Sequence, residues 1–233
     1  TRKDILRLST GWYHQFGDYV VLKNNPALRP KSAYHFALSF DRIADALELR
    51  ATLYDKEYRR LFLSSAGGRA DNGGTGYARG AELFVKTKAR TFELLLVYNF
   101  IDSRRKENDV LTLAPSPYEI THSATGIFTW KFKNGSAGLR YSIASGRPYT
   151  PLAGRGWDPE SDSYLPVWGD PFSRRYPAYQ RLDLTGNRTI HLWDRLIVLY
   201  FGITNLLDNE NISRYEYGSD YTCLLYTSDA ADE

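Results

Sequence analysis

The chain of 233 residues has no methionine, one cysteine and only four histidines, and each scarcity closes off some chemistry. The missing methionine predicts that the text begins inside a longer protein, at Thr1, Arg2 and Lys3, with no leader in view. One cysteine cannot make an internal disulfide and leaves no thiolate cluster for structural zinc or an iron–sulfur centre. His14, His35, His122 and His191 are widely spaced, with no H-E-x-x-H pattern, so neither a metal nor a cofactor site is expected. Excess charge is scarce too: 30 Lys and Arg against 27 Asp and Glu leave +3, too little to imply nucleic acid. No run of about 18 apolar residues is present to make a membrane helix, but a membrane β-barrel stays permitted. Aromatic residues, by contrast, are plentiful: 15% aromatic within 42% apolar content argues for a folded chain.

Enzyme signatures are also missing. GGRADNGGTG lacks the terminal Gly-Lys-Ser/Thr of a phosphate loop and reads as a flexible loop before a strand. There is no G-x-S-x-G elbow, and the many carboxylates show no sign of the fixed separation across a cleft that glycoside hydrolysis needs. The chain is not expected to be an enzyme. Its last eleven residues, CLLYTSDAADE from Cys223 to Glu233, resemble the conceptual translation of a transposase adapter. We expect residues 1–222 to carry the fold and 223–233 to be an adapter-derived tail. Without Asp229, Asp232 and Glu233 the balance is 30 cationic against 24 acidic side chains, and the only Cys disappears.

The dominant period is two, that of strands whose faces meet different surroundings. Tyr34, Phe36, Leu38 and Phe40 alternate with His35, Ala37, Ser39 and Asp41. Leu47, Leu49, Ala51 and Leu53 alternate with Glu48, Arg50, Thr52 and Tyr54, and further apolar rows run from Phe92 to Phe100 and from Ala124 to Phe132. Strands are expected near 4–16, 32–41, 46–58, 77–88, 92–100, 121–132, 136–145, 178–191 and 195–204, with a tenth possible at 211–217. Short connections at DRIAD, near Ala89, at Lys133-Asn134-Gly135 and at Trp193-Asp194 alternate with long ones. Asn-Gly signals a primed hairpin turn. In an up-and-down sheet such alternation puts every long loop on one rim, the asymmetry of an outer-membrane barrel. Strands of roughly 9 to 13 residues suit tilted membrane crossing better than the usual soluble length. The expected fold is therefore all-β: an antiparallel up-and-down transmembrane β-barrel fragment of about 9–10 strands, its backbone groups closed off from lipid by pairing.

Five segments resemble the C-terminal barrel half of TonB-dependent outer-membrane receptors, especially of the Bacteroidetes type. They are NPALRPKSAYHF (Asn25–Phe36), GYARGAELFVK (Gly76–Lys86), ASGRPYTP (Ala144–Pro151), YPAYQRLDL (Tyr176–Leu184) and FGITNLLDNEN (Phe201–Asn211). Lys31 departs from the glutamate commoner in that family. The resemblance implies a barrel of about 22 strands filled by an N-terminal plug domain that engages the TonB complex, neither plug nor TonB-contacting segment being visible here. It implies active uptake across the bacterial outer membrane of a scarce ligand such as a siderophore, a cobalamin-like cofactor or a glycan. It also implies a closing aromatic-ended strand, which is not evident after Tyr221. A passive porin or adhesin-like barrel, and a soluble carbohydrate-binding β-sandwich, are the competing readings.

Within this frame the apolar rows are expected to meet lipid. Glu48, Arg50, Glu82, Lys86, Glu93, Arg140, Arg181 and Asp183 are expected on the lumen face, where they either contact the plug or serve the barrel wall alone. The long loop after Ser145 is the candidate extracellular ligand loop. It carries Arg147, Tyr149, Arg155, Trp157, Tyr164, Trp168, Arg174, Arg175 and Tyr176, which supply guanidinium forks for anionic oxygens and aromatic faces for sugar or catecholate rings. The same residues also suit a rim with an aromatic girdle, and GRPYTP suits a turn in which Gly146 permits positive φ and Pro148 stiffens the chain.

Overall fold

The computed structural model describes residues 2–64 and 69–222, together with the backbone of 224–228. Cys223 and residues 229–233 of the expected tail lie outside the described residues. In chain order the elements are β1 (Lys3–Gln15), α1 (Tyr19–Asn24), β2 (Lys31–Ala44), β3 (Leu47–Leu63), β4 (Asp71–Lys88), β5 (Phe92–Lys106), β6 (Ala114–Pro115), β7 (His122–Phe132) and β8 (Gly135–Ala144). There follow β9 (Pro148–Tyr149), β10 (Leu152–Asp158), β11 (Ser163–Trp168), β12 (Arg174–Arg175), β13 (Tyr179–Leu192), β14 (Arg195–Ile203), β15 (Ile212–Tyr217) and β16 (Leu224–Ser228).

Nine of these strands form one sheet in the order β1-β2-β3-β4-β5-β7-β8-β13-β14, with β6 paired to β5 outside that path. Every neighbouring pair in the path is antiparallel. Sequential strands stay adjacent, so the short connections at 45–46, 89–91, 133–134 and 193–194 all lie at one end and the long ones at the other. The nine strands lie where period-two alternation expects them. Three of them extend further: β3 to Leu63, β4 back to Asp71 and β5 to Lys106.

Those extensions escape sequence reading because they are rich in charge and glycine, the usual marks of a loop. DNGGTG, expected to be flexible, is the first third of β4, at its long-connection end. Its glycines serve close approach: a Cβ at Gly74 would come within 2.5 Å of the Lys106 carbonyl oxygen and 2.7 Å of Leu61 Cβ. Opposite it, β3 slips register between Arg59 and Leu61, with Arg60 at φ 57°, and Asn72 Nδ2 donates to the Arg60 carbonyl at 3.1 Å. This is a β-bulge, which sharpens the local twist.

Directly paired residues share a face, so the register defines both surfaces. One row runs Leu8, Leu38, Leu53, Ala81, Phe100; a second runs Leu49, Val85, Leu96, Gly126, Tyr141, Leu182; a third runs Leu94, Phe128, Leu139, Leu184, Ile203. These side chains are left in the open: Leu8 is 67% and Leu53 58% exposed, and no side chain among the described residues is fully buried. A soluble sandwich would pack such rows against a second sheet. Here one broad sheet presents them outward, so the sandwich reading fails.

The apolar face is bounded by charge at both ends. Near the short turns, Arg42 Nε bonds Asp4 at 2.8 Å. Toward the long connections, Arg79 holds Asp55 at 3.0 Å and Glu57 at 2.7 Å, and Tyr77 donates to Asp102 at 3.1 Å. Aromatic pairs mark the same two borders, Trp130 with Phe132 near one turn and Trp12 with Tyr34 near the opposite end. Along β5 the row from Phe92 to Phe100 covers about 27 Å of strand, or about 20 Å vertically at a typical tilt, close to the lipid band of a membrane barrel.

Both hairpin turns fall where expected, but their geometries are exchanged. Lys133-Asn134 does close a hairpin between Phe132 and Gly135, but both loop residues stay at negative φ, so it is not a primed turn. The primed geometry occurs at Trp193 (φ 49°) and Asp194 (φ 57°), where no glycine signals it.

Candidate functional site

The opposite face of the sheet is polar. Its register rows read Glu48, Lys86, Leu95, Ile127, Arg140, Asp183 and Arg50, Phe84, Val97, Thr125, Ser142, Arg181. Glu82 pairs with Thr52 and Asn99, and Glu93 with Thr129, on the same side. All eight charged residues expected on a lumen wall thus project from one face. Most are tied to neighbours: Lys86 and Lys131 both reach Glu93 at 3.2 Å, and Arg181 holds Asp183 at 2.7 Å. Asp183 also accepts the Asn205 N–H at 3.0 Å, which fastens the chain after β14 to the wall. The most enclosed carboxylate here, Asp41, was not singled out by sequence. It sits between Arg7 and Arg50, with Arg50 Nε at 2.7 Å. Its charge gains two guanidinium partners at once, which offsets the desolvation that burial imposes.

At the long-connection end, the segment after Ser145 is ordered rather than an open loop. β9 pairs with β12 through Tyr149–Arg174 and Pro148–Arg175, forming a clamp, and β10 with β11 forms a hairpin beyond it. Gly146 is needed at the base, but not for positive φ. A Cβ there would collide with the Tyr176 carbonyl, so backbone proximity is the constraint. The hairpin tip is held by Asp158, whose side chain accepts from Ser161 Oγ at 2.6 Å and from the Glu160 N–H at 3.2 Å. The Ser161 hydroxyl and then that amide hold its pKa below the ordinary aspartate value.

Beside the clamp lies a cavity of about 870 Å³. Tyr149, Tyr176 and Tyr215 form one wall, with ring centroids 4.6, 5.1 and 4.9 Å apart. Trp168 packs edge-on to Tyr217 at 6.3 Å, and Tyr118, Phe172 and Tyr221 complete the aromatic lining. Four of the nine loop residues named from sequence, Arg147, Tyr149, Trp168 and Tyr176, line this cavity. Arg155, Trp157 and Tyr164 instead cluster on the hairpin, Arg155 stacked 4.2 Å over Tyr164 and Trp157 edge-on to Tyr164 at 5.1 Å. Arg174 lies exposed on the clamp strand and is not among the lining residues.

Arg175 holds the framework together. It reaches Glu119 at 2.6 Å and the Gly146 carbonyl at 3.1 Å. Glu119 is buried, and also accepts from Thr121 Oγ1 at 2.7 Å and the Ser103 N–H at 3.3 Å. The cavity floor from the 107–121 connection is thereby joined to the clamp. Sequence reading missed Tyr118, Phe172, Tyr215, Tyr217 and Tyr221, since their only signal is a local density of tyrosine near three different strand ends.

A two-faced up-and-down antiparallel sheet with an apolar belt, a polar reverse face and a built cavity on its long-loop rim defines a β-barrel wall of the membrane-receptor class. The family model for the TonB-dependent receptor-like β-barrel matches residues 5–206, and the chain belongs to that family. Among solved structures it is similar to the FrpB iron transporter of Neisseria meningitidis, F3-3 variant, at 12% identity and TM-score 0.61, covering 97% of this chain and 35% of that one. It is also similar to the ferric-catecholate import receptor Fiu of Escherichia coli K12 at 14% identity and TM-score 0.64, covering 97% and 31%. The outer-membrane transporter YddB of Escherichia coli shares 12% identity at TM-score 0.62, covering 89% and 35%. The chain thus spans about a third of the length of each, and at these identities the likeness is one of fold. No curated protein sequence matches the chain.

Proposed function

We propose that the complete protein is an outer-membrane receptor of the Bacteroidetes type that imports a scarce, bulky ligand with energy delivered through TonB, and that this chain supplies a large part of its barrel. The observation that carries the reading is the nine-strand sheet with its two opposed faces and all four short turns at one end, within a family-model match over residues 5–206. The apolar face contacts lipid, and the eight charged residues on the reverse face meet water and a plug domain. The aromatic cavity lies on the extracellular rim and receives ligand first. Residues 223–233 are foreign to the native protein in this reading. The pairing of β16 with β15 is compatible with that, because an open strand edge accepts whatever extended segment follows it.

The test is recovery of the complete gene and a transport assay on its product. We expect a plug domain upstream, an aromatic-ended strand in place of CLLYTSDAADE, fractionation with the outer membrane, and uptake abolished by deletion of TonB. A continuous barrel without a plug, with uptake indifferent to TonB, would establish the passive porin instead. A freely soluble folded monomer would contradict the lipid-facing rows.

A further inference from the structure

One charge stands on the apolar face. Along β13 the side chains of Leu182, Leu184, Gly186, Arg188, Ile190 and Leu192 share that side of the sheet, since Leu184 lies in the same row as Leu139 and Phe128. Arg188 is therefore directed outward, paired with Gly135 on β8 and Leu199 on β14, and it is exposed. It is not at the end of the apolar row, because Ile190 and Leu192 carry the row on for about 13 Å of strand beyond it. Basic side chains on a lipid-facing surface are costly, and one kept there needs a partner.

Elsewhere on this face charge is neutralised within the fold. Near the short turns Asp4 takes both Arg2 at 3.1 Å and Arg42 at 2.8 Å, and at the opposite border Arg79 takes Asp55 and Glu57. Arg188 has no ion pair or side-chain hydrogen bond among the described residues, and neither have Lys133 and Arg195. The fold gathers these three. Lys133 and Asn134 close their hairpin beside β13, where the Thr189 N–H donates to the Asn134 carbonyl at 2.7 Å, and Arg195 pairs with Leu192 at the next turn. An arginine stem can lie along apolar surface while its head reaches the polar layer, which for Arg188 is the one at the short turns. Rings mark that layer: Trp130 packs edge-on to Phe132 at 5.5 Å, and Trp193 is 88% exposed. Asp194 is the one carboxylate between residues 188 and 196, so the cations stand in excess.

We infer that Arg188, Lys133 and Arg195 hold the phosphate of an anionic phospholipid, in the leaflet that meets the short turns. The inference rests on the barrel reading above and extends it from the ligand to the membrane itself. A phospholipid supplies what this surface lacks: a negative group at the depth the three cations reach, and acyl chains to cover Ile190, Leu192 and Ile197. A carboxylate from a second copy of the chain is the competing occupant, but it would have to be carried into hydrocarbon to meet Arg188, whereas the phosphate already sits at the border.

The experiment uses the purified complete gene product in mild detergent, titrated with phosphatidylglycerol or with zwitterionic phosphatidylcholine and read by native mass spectrometry. We expect the first phosphatidylglycerol to bind about fivefold or more tighter than phosphatidylcholine, the scale of one cation near an anionic headgroup, with the gap narrowing as salt rises. Arg188→Leu with Lys133→Gln should bring the two lipids within about twofold. That variant removes a charge from the apolar belt and should fold at least as well as wild type, checked by the heat-modifiable gel shift. Arg90→Gln, at the β4–β5 turn, should leave the preference intact. Equal affinity of the wild type for the two lipids overturns the inference, as does a preference that survives the double variant or falls as far with Arg90→Gln. A wild-type dimer that ignores phosphatidylglycerol and dissociates in Arg188→Leu would also overturn it, giving the site to a second copy. A membrane-bound barrel without lipid preference strikes this inference alone, whereas uptake indifferent to TonB strikes the receptor reading alone.

Discussion

Leu96 and Val97 are adjacent in β5 yet belong to opposite faces, and they offer a sharp test of the register. Leu96 pairs with Val85 and Gly126 in the apolar rows, midway between Phe92 and Phe100, and is 44% exposed. Val97 pairs with Phe84 and Thr125 on the polar face, in the same row as Arg50 and Arg181. Placing arginine at the bilayer midplane costs about 2–4 kcal/mol, falling toward zero at the borders. Leu96→Arg in the complete receptor should therefore lower folded stability by about that amount, roughly a thirtyfold to thousandfold change in the folding equilibrium. Val97→Arg has water and the acidic side chains of the polar face within reach, and its cost should stay near about 1 kcal/mol, the ordinary scale of a partly buried substitution. Reversible denaturant unfolding in lipid vesicles, with the heat-modifiable gel shift as a second readout, measures both. Equal losses, or a larger loss for Val97→Arg, would mean that the two faces are assigned the wrong way round.

Removing the Glu119 charge by Glu119→Ala strands Arg175 and leaves the Ser103 N–H and Thr121 hydroxyl without their acceptor. Arg175 is partly exposed and keeps water within reach, so the cost is that of the donors left without an acceptor, about 1–3 kcal/mol, which should appear as faster proteolysis within residues 146–177 while the strands stay protected. Gly146→Ala forces a methyl against the Tyr176 carbonyl and should loosen the same clamp, seen as accelerated amide exchange at Tyr176, whose N–H bonds the Arg147 carbonyl at 3.0 Å. At the opposite end, Trp193→Asn with Asp194→Gly gives a primed turn the residues that tolerate positive φ, and should raise stability by about 1–2 kcal/mol in the same unfolding assay.

Local alternation was enough to locate nearly all of the wall. A strand whose faces meet lipid and water must alternate, so rows such as Phe92 to Phe100 are written directly into residue order, and turn lengths supply the up-and-down path. The eight charged residues could be assigned to one face before any register was known, because each falls on the polar phase of its own strand. The same logic fails beyond the apolar belt. There alternation carries no signal, since Leu61, Phe62 and Leu63 are consecutive and all buried while the rest is glycine and charge, so the last five residues of β3, the first six of β4 and the last six of β5 read as loop. It fails at Trp193-Asp194 as well, where strand pairing imposes a backbone conformation that neither residue announces.

The cavity belongs to the same blind region. Residue types in the loop after Ser145 were legible, but their division of labour was not: Arg147 and Arg175 look equivalent in sequence, yet one lines the cavity and the other is consumed by Glu119, 56 residues away. Tyr118, Tyr149 and Tyr215 come from three separate connections and meet only because the sheet carries those strand ends to one rim. Residue order by itself determined the class of protein, the two faces and the end at which the loops gather, since each follows from contacts between a strand and its solvent. Which charges are spent and which rings face each other were decided only by tertiary structure, because they depend on partners distant in the chain.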